Sequence, residues 1–196
     1  MLAAAAGPVR AFIAIELNSK PLAALKNFQR QLQARLSDVP VRWTRPEQLH
    51  LTLKFLGHVP RERLADSAAA LDRASIGIAP FQLALEGVGC FPHPQNPRVV
   101  WIGINGELPL LRRLQTQIDQ QTKGIGDHSE ERVFQPHLTI GRVKAPGRQA
   151  RDLGEFVQTA SLPELGPWTV REIHLIQSEL SPDGARYTTL ATATLR

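Results

Sequence analysis

The chain has 196 residues, of which 42% are hydrophobic and 21% charged, a balance typical of a soluble globular protein with one sizeable core or two small lobes. Its 23 lysines and arginines exceed its 18 aspartates and glutamates, and the net charge of +5 favours polyanionic partners without identifying one. A single cysteine, Cys90, excludes an internal disulfide and favours a reducing compartment. No stretch approaches the roughly 20 apolar residues that span a membrane, and residues 1–7 lack the charged start of a secretory signal. We therefore expect a cytoplasmic protein without a membrane partner, and a monomer by default.

The first half of the chain is predicted to alternate strands with helices. Residues 10–17 are rich in β-branched and aromatic side chains, as strands are. Ser19 can cap the helix that follows, Pro21 suits an early helical position, and leucines recur at helical spacing through Leu36. The elements predicted next are a short strand at 41–44, a strand closed by Gly57 and Pro60, a helix at 60–74 and a half-buried strand at 81–88.

The second half begins after a proline-rich stretch, residues 89–97, that we interpret as a loop. Pro136 lacks a backbone donor and therefore predicts a strand start or an edge strand at His137. Proline, aspartate and glycine within residues 181–184 predict a tight turn, and hence a closing hairpin. The other predicted elements are a strand at 98–105, a helix at 108–123, loops at 124–132 and 144–151, a helix at 152–160, and hairpin strands at 168–180 and 186–195.

One tripeptide, His-Leu-Thr, occurs twice. It runs from His50 to Thr52 within the segment LHLTLKFLG, and from His137 to Thr139 within the segment FQPHLTIGR. Both copies lie in short apolar runs that are typical of strands, where residues two apart point to the same face. Each histidine should therefore share a face with its threonine, while the leucine between them points into a core. Each copy then presents an imidazole and a hydroxyl to a cleft.

The surroundings of the two copies repeat as well. Residues 9–16 (VRAFIAIE) resemble residues 98–105 (RVVWIGIN), and each segment leads through an amphipathic helix to its own His-Leu-Thr strand. This duplication predicts a bilobal α+β fold with pseudo-twofold symmetry, in which two antiparallel sheets face a central cleft and the helices pack outside. We expect a single domain over 1–196, with one repeat at about 9–88 and the other at about 98–196.

Two opposed histidines can act as one general base and one general acid, because an imidazole pKa near 6.5 allows both protonation states near neutral pH. Threonine hydroxyls can donate hydrogen bonds to anionic oxygens, so a phosphodiester fits this set of groups without a metal ion. A zinc site is the chemical alternative, with His174 as a third ligand beside His50 and His137. It stays open, although no carboxylate or second thiol stands at ligand spacing.

Several further segments carry a family resemblance together with the two motifs. They are residues 10–15 (RAFIAI), 45–57, 97–101 (PRVVW), 134–139 and 178–180, with Gly184 and Tyr187. This set resembles the bacterial and archaeal RNA 2′,3′-cyclic phosphodiesterases, first named 2′-5′ RNA ligases, of the two-histidine phosphoesterase superfamily. The resemblance covers nearly the whole chain from Arg10 onward.

The resemblance implies an activity and roles for the residues of both motifs. The activity is metal-independent, cofactor-free hydrolysis of 2′,3′-cyclic phosphate ends to 2′-phosphomonoesters, acting on RNA, with tRNA fragments as one candidate, or on nucleotides. A reversible, ATP-independent joining of such ends to 5′-hydroxyl ends through a 2′-5′ bond is also implied. His50 would be the proton donor and His137 the proton acceptor, with Thr52 and Thr139 as further catalytic residues.

Members of this family also hold the nucleotide with the residue five positions beyond each histidine, here Phe55 and Arg142. A phenylalanine can stack on a base, and an arginine can bind phosphate or stack. Strict alternation, however, places a residue five positions on at the opposite face, so a bulge or a strand end must turn both inward. Otherwise Phe55 lies in the core and Arg142 in solvent. Gly141 departs from the small apolar residue that is more common there.

Two other functions stay open. One is a non-catalytic RNA-end binding module whose histidines only hold phosphate, and the other is a phosphodiesterase for a small cyclic nucleotide or a 2′-5′ oligoadenylate. A turnover assay separates the first from an enzyme. Comparing kcat/KM on nucleotide and oligonucleotide substrates separates the second from an RNA enzyme.

Overall fold

The structure is a computed structural model that describes residues 7–128, 133–145, 147–160, 162, 166–181 and 184–196. The strands of this part of the chain are β1 (Val9–Glu16), β2 (Val41–Trp43), β3 (His50–Val59), β4 (Phe81–Phe91), β5 (Val99–Gly106), β6 (His137–Val143), β7 (Trp168–Val170), β8 (Glu172–Ser181) and β9 (Gly184–Thr194). Its α-helices are α1 (Ser19–Arg35), α2 (Leu64–Ser75), α3 (Leu108–Gln121) and α4 (Arg148–Thr159), and short 3-10 helices occur at Pro46–Gln48 and Arg61–Arg63.

These strands form one nine-stranded sheet in the order β7-β4-β5-β6-β3-β1-β8-β9, with β2 added beside β6. The sheet divides between β6 and β3, where the antiparallel pair Leu51 and Leu138 joins the two parts. We call β1, β3, β8 and β9 the His50 lobe, and β2 with β4 to β7 the His137 lobe. The predicted bilobal α+β fold is confirmed, and its two antiparallel sheets are the halves of this larger sheet.

The helices cover the face of the sheet that carries Leu51 and Leu138, whose side chains are fully buried. A single hydrophobic core contains both leucines together with buried residues of all four described helices. Burying one such leucine is worth roughly 1.5–3 kcal/mol, which holds each His-Leu-Thr strand in one orientation. The histidines beside these leucines therefore point to the uncovered face. A smaller cluster lies on that face and consists of Phe12, Ala14, Ile176 and Tyr187.

The two lobes exchange strands along the chain. β4 follows the first motif but pairs with β5 and β7 in the His137 lobe, whereas β8 and β9 return to pair beside β1. The prediction of one continuous strand at 168–180 is wrong. The chain leaves β7 at Arg171, changes lobe and continues as β8. Each lobe takes strands from both halves of the sequence.

Other boundaries also differ from the prediction. Asn18, not Ser19, occupies the N-cap of α1, and its side chain makes no capping hydrogen bond. This helix is therefore held mainly by its buried face. The predicted loop at 89–97 is shorter, because β4 continues to Phe91. A Cβ on Gly89 would stand 2.1 Å from the Trp101 ring, so glycine is what allows β4 to pair beside that indole.

The limits of three further elements are shifted as well. β3 runs past Gly57 to Val59, and α4 begins at Arg148 rather than 152. The helix predicted at 60–74 begins as a 3-10 turn before α2.

Two other expectations about strand positions hold. Pro136 directly precedes β6, and β8 and β9 form the predicted hairpin. The loop residues 129–132 and the turn residues 182–183 lie outside the described residues. No helix in the described part of the chain is long and apolar enough to cross a membrane.

Candidate active site

The two His-x-Thr motifs meet where the lobes join. His50 and His137 are the first residues of β3 and β6. Because the leucines of the two motifs pair directly, extending the antiparallel register by one residue places His50 beside Thr139 and His137 beside Thr52. All four side chains are partly exposed, and they lie on the face that the helices leave uncovered.

Each histidine is anchored by its own strand in the same way. The Nδ1 atom of His50 lies 2.7 Å from the carbonyl oxygen of Gln48, and the Nδ1 atom of His137 lies 2.7 Å from the carbonyl oxygen of Gln135. A carbonyl oxygen can only accept, so Nδ1 carries a proton in both rings and donates it. Nε2 is therefore an acceptor in each neutral ring and a donor in each imidazolium, so both rings can transfer a proton there.

Burial lowers the pKa of both imidazoles. Loss of hydration lowers the pKa of His50 to about 4, although the hydrogen bond to Gln48 opposes this shift. Burial also lowers the pKa of His137, and the Arg142 guanidinium acts in the same direction. Both rings are therefore mainly neutral at pH 7 without a ligand. An anion bound between them would raise both pKa values, so phosphate binding promotes formation of the proton donor.

Aromatic rings enclose both imidazoles. The Phe12 ring stacks on His50 at a centroid distance of 4.7 Å, and Tyr187 meets it edge-on at 5.4 Å. Around His137, Phe91 lies edge-on at 5.0 Å and Trp101 at 6.4 Å. These rings account for the burial of the imidazoles. Sequence reasoning did not assign them to the site, although Phe12 and Trp101 occupy equivalent positions of the repeated strands.

A β-bulge three residues after each histidine changes the face that the strand presents. The register of β3 with β1 skips Leu53, and the register of β6 with β5 skips Ile140. One extra residue on a strand reverses the alternation beyond it. Phe55 and Arg142, five residues past the histidines, therefore return to the histidine face. The simple alternation that placed them opposite is wrong in both strands for the same reason.

The surroundings of Phe55 agree with this position. Its ring centroid lies 6.1 Å from that of Phe12, the ring that stacks on His50. Its side chain is 41% exposed, so the alternative of a core position is wrong. An exposed aromatic ring beside a catalytic candidate is available for stacking on a base.

Arg142 also faces the cleft rather than bulk solvent alone. It is exposed, yet its charge lowers the pKa of His137 on its own strand. Burial raises the pKa of Tyr187 in the other lobe, and Arg142 and Arg10 oppose that rise. The Arg142 guanidinium thus affects the pKa of a residue in each lobe, His137 and Tyr187.

A pocket of about 180 Å³ adjoins His50. Its lining includes Ile176 and Tyr187 from the uncovered face, three leucines, and the carboxylates of Glu16 and Glu47. This mixed lining suits part of a nucleoside better than it suits a phosphate. A larger pocket of about 360 Å³, lined mainly by residues 122–128, contains none of the predicted site residues.

The structure does not assemble the three-histidine zinc site. His174 is buried in β8, where its Nδ1 lies 3.0 Å from the Thr192 hydroxyl and its Nε2 lies 3.6 Å from the Glu172 carboxylate. Across the residues that the structure describes, no group of three or more histidine, cysteine, aspartate or glutamate side chains could hold a metal ion. The set of His50, His137 and His174 is therefore not a metal centre here.

Known proteins of the same kind cover nearly the whole chain. A family model described as LigT like Phosphoesterase matches residues 15–101 and 102–187. The chain is 36% identical to the RNA 2′,3′-cyclic phosphodiesterase of Methanothermobacter thermautotrophicus over 180 residues, which are 92% of this chain and 95% of that protein. It is 35% identical to the protein of the same name from Archaeoglobus fulgidus over 179 residues, with coverages of 91% and 96%.

Solved structures share the fold as well. The Thermus thermophilus protein TT0787 superposes with a TM-score of 0.73 at 32% identity, over 95% of this chain and 98% of that one. E. coli LigT complexed with 3′-AMP superposes with a TM-score of 0.72 at 25% identity, over 96% and 98%. Since the family model spans most of the sequence and the relatives align end to end with it, the chain belongs to the LigT-like phosphoesterase family.

Proposed function

We propose that this enzyme hydrolyses RNA 2′,3′-cyclic phosphate ends to 2′-phosphomonoesters, with His50 as proton donor and His137 as proton acceptor and without a metal ion or cofactor. The observation that carries the proposal is the pair of imidazoles anchored through Nδ1, which present both Nε2 atoms on one face of the lobe junction. The names of the relatives, RNA 2′,3′-cyclic phosphodiesterases, support the choice of substrate.

The proposed step moves one proton on each side of the phosphorus atom. Nε2 of His137 accepts a proton from water, and the water oxygen forms a new bond to phosphorus. The bond between phosphorus and O3′ breaks, and the Nε2–H of His50 gives its proton to the departing O3′. The product is a 2′-phosphomonoester with a free 3′-hydroxyl. Proton exchange with solvent restores both rings.

The threonines and Arg142 stabilise the charge that this step builds on the phosphoryl oxygens. Neither the Thr52 nor the Thr139 hydroxyl bonds to another group in the described part of the chain, so both can donate to nonbridging oxygens. Arg142 adds a positive charge on the same face, and Phe55 offers a ring for the base. Donors held in place before reaction are the usual source of such stabilisation.

The same groups support 2′-5′ ligation without ATP. The 5′-hydroxyl of a second RNA takes the place of water, His137 accepts its proton, and the new bond joins O5′ to the phosphorus that stays on O2′. The P–O3′ bond breaks as the P–O5′ bond forms, and His50 gives its proton to O3′. No ATP is needed, since the reaction exchanges one phosphodiester bond for another. Exchanging the roles of the two histidines runs the step backwards.

The test is hydrolysis of a short RNA that ends in a 2′,3′-cyclic phosphate, in excess EDTA. We expect the native enzyme to release a 2′-phosphate, and His50→Ala and His137→Ala each to lose about 10²- to 10⁴-fold in kcat. His58→Ala, which removes an exposed imidazole bonded to Asp127 away from the motifs, is the matched control and should stay near native. Turnover that EDTA abolishes, or that survives both motif substitutions, contradicts the proposal.

A further inference from the structure

Two arginines stand directly opposite each other at the edge of the cleft. Arg42 of β2 and Arg142 of β6 are paired residues of antiparallel strands, so their side chains share a face with Cβ atoms about 5 Å apart. Both side chains are exposed. The bulge at Ile140 turns Arg142 to the face that carries the candidate catalytic groups, and the Arg142 charge affects the pKa of His137 and Tyr187 there. Arg42 therefore lies on that face as well.

Like charges directly opposite each other on neighbouring strands destabilise a sheet. Neither arginine forms an ion pair with an acidic side chain in the described residues. The repulsion is therefore not relieved within the part of the protein that the structure describes. An arrangement of this kind is stabilised by a bound anion, since guanidinium groups bind phosphate through two parallel hydrogen bonds.

Arg42 lies between the two lobes. A Cβ built on Gly184, the first residue of β9, would stand 3.1 Å from a guanidinium nitrogen of Arg42. This places the charge of a His137-lobe strand against the hairpin of the His50 lobe. A nucleic acid strand that leaves the lobe junction along β6 and β2 would pass over Arg142 first and Arg42 next.

We propose that Arg42 binds the phosphodiester immediately 5′ to the terminal nucleotide, so that the enzyme prefers oligonucleotides over mononucleotide cyclic phosphates. The argument is one of charge. The reacting cyclic phosphate carries a single negative charge, which offsets one of the two guanidinium charges, and a nucleoside cyclic monophosphate has no second anion to offset the other. The adjoining phosphodiester of an oligonucleotide supplies that second anion. This inference rests on the proposed function and names the substrate class of the same site.

The test compares three substrates that share the reacting end. They are adenosine 2′,3′-cyclic monophosphate, the dinucleotide ApA ending in a 2′,3′-cyclic phosphate, and the same dinucleotide with an uncharged methylphosphonate linkage. We expect Arg42→Gln to lower kcat/KM on the charged dinucleotide by about ten-fold or more. It should change kcat/KM by less than about two-fold on the other two substrates, because neither presents a charge to position 42.

Salt gives a second readout of the same contact. Salt screens the attraction between a guanidinium and a phosphate, so kcat/KM on the charged dinucleotide should fall as the salt concentration rises. Arg42→Gln should make this fall less steep and leave the salt dependence for the mononucleotide unchanged. Arg113→Gln removes the same charge from an exposed site on α3, so it controls for net charge and should resemble the native enzyme.

Failure of this inference differs from failure of the proposed function. Equal loss on all three substrates, or no loss on the charged dinucleotide, overturns the role of Arg42 while the native enzyme still turns over its substrates. If the native enzyme turns over none of the three, the proposed function itself is wrong. Circular dichroism of Arg42→Gln should match the native protein, since the side chain is exposed. Its unfolding temperature should equal or slightly exceed the native one, because the substitution removes the repulsion from Arg142.

Discussion

The two candidate catalytic residues are alike in anchoring and different in surroundings. Each donates its Nδ1 proton to the carbonyl two residues earlier, and this repetition makes Nε2 the reactive nitrogen on both sides. His50 lies between Phe12 and Tyr187 and has a pKa of about 4. The protonation states of the two imidazoles therefore set the pH range in which the enzyme can work.

A pH profile of kcat/KM reports these groups in the free enzyme. The reactive form has one ring protonated and one neutral, so the profile is a bell whose limbs follow the two pKa values of the coupled pair. Since burial lowers both pKa values below the ordinary 6.5, we expect the maximum on the acid side of pH 6.5. The limbs of kcat should lie at higher pH, because bound phosphate favours imidazolium. A maximum of kcat/KM above pH 7 would contradict this assignment.

Stability should depend on the same shift at His50. The folded state disfavours the imidazolium, so between pH 6.5 and about 4 the unfolded chain binds more protons at this residue than the folded protein does. The contribution of neutral His50 to the free energy of unfolding is fully present above pH 6.5 and is lost as the pH falls towards 4. The free energy of unfolding, measured in urea at pH 7 and at pH 4.5, should fall over this interval by about 2 kcal/mol less for His50→Gln than for the native protein. Equal losses would show that His50 titrates normally.

Phe55 provides a test of nucleotide stacking. Stacking a base on an aromatic ring is worth roughly 1–3 kcal/mol, so Phe55→Ala should raise KM about ten-fold with little change in the unfolding free energy. Ile76→Ala is the control, because it also removes exposed apolar surface, at a position that follows α2. It should leave KM unchanged. An unaltered KM in Phe55→Ala would remove this residue from the binding site.

At the scale of single elements, the bulges decide how the site is built. Two regular strands would have turned Phe55 and Arg142 away from the histidines, and the skipped residues Leu53 and Ile140 bring them back. Alternation correctly predicted that each histidine shares a face with its threonine, because no bulge lies between them. A bulge depends on the register with a neighbouring strand, so the local sequence of β3 or β6 does not predict it.

Gly141, next to the bulge in β6, is required by close packing rather than by backbone conformation. A Cβ there would stand 2.8 Å from Val41 Cγ1 and 3.1 Å from the Trp43 ring. Gly141→Ala should therefore lower the unfolding free energy by about 1–3 kcal/mol, and it should lower kcat/KM by displacing the neighbouring Arg142. Denaturant titration and steady-state kinetics measure both effects.

The partner substitution for this prediction is Val41→Ala, which removes the nearer clash. The double variant should recover part of the stability that Gly141→Ala loses, as expected for residues in contact. Gly7→Ala is the control, because nothing lies within 4 Å of a Cβ there. If Gly141→Ala is as stable as native, the packing between β2 and β6 is looser than these distances indicate.

For the whole molecule, the repeats predicted two lobes and a shared site, but not which strands make each lobe. The pairing of β4 with β5 and of β8 with β1 depends on contacts between residues far apart in the sequence. Repeated motifs do not encode such exchanges. The aromatic rings around the histidines were missed for a related reason, since Tyr187 and Phe91 lie on strands that reach the site only through this arrangement.

One continuous core across both lobes predicts a single unfolding transition. The three tryptophans, Trp43, Trp101 and Trp168, all lie in the His137 lobe, so their fluorescence reports that lobe, whereas far-UV circular dichroism reports both. We expect the two signals to coincide in urea. Separate midpoints would show that the lobes unfold independently in spite of their shared core.

The exchange of strands also affects how the protein is made. A ribosome synthesises β1 and β3 early, yet β1 finds its second neighbour, β8, only after residues 60–171 have been translated. Until then the nascent chain carries an open strand edge, which is prone to pair with other chains. The His137 lobe can close first, although its motif comes later in the sequence. The lobe with the earlier motif is thus completed last, after β8 and β9 have been translated.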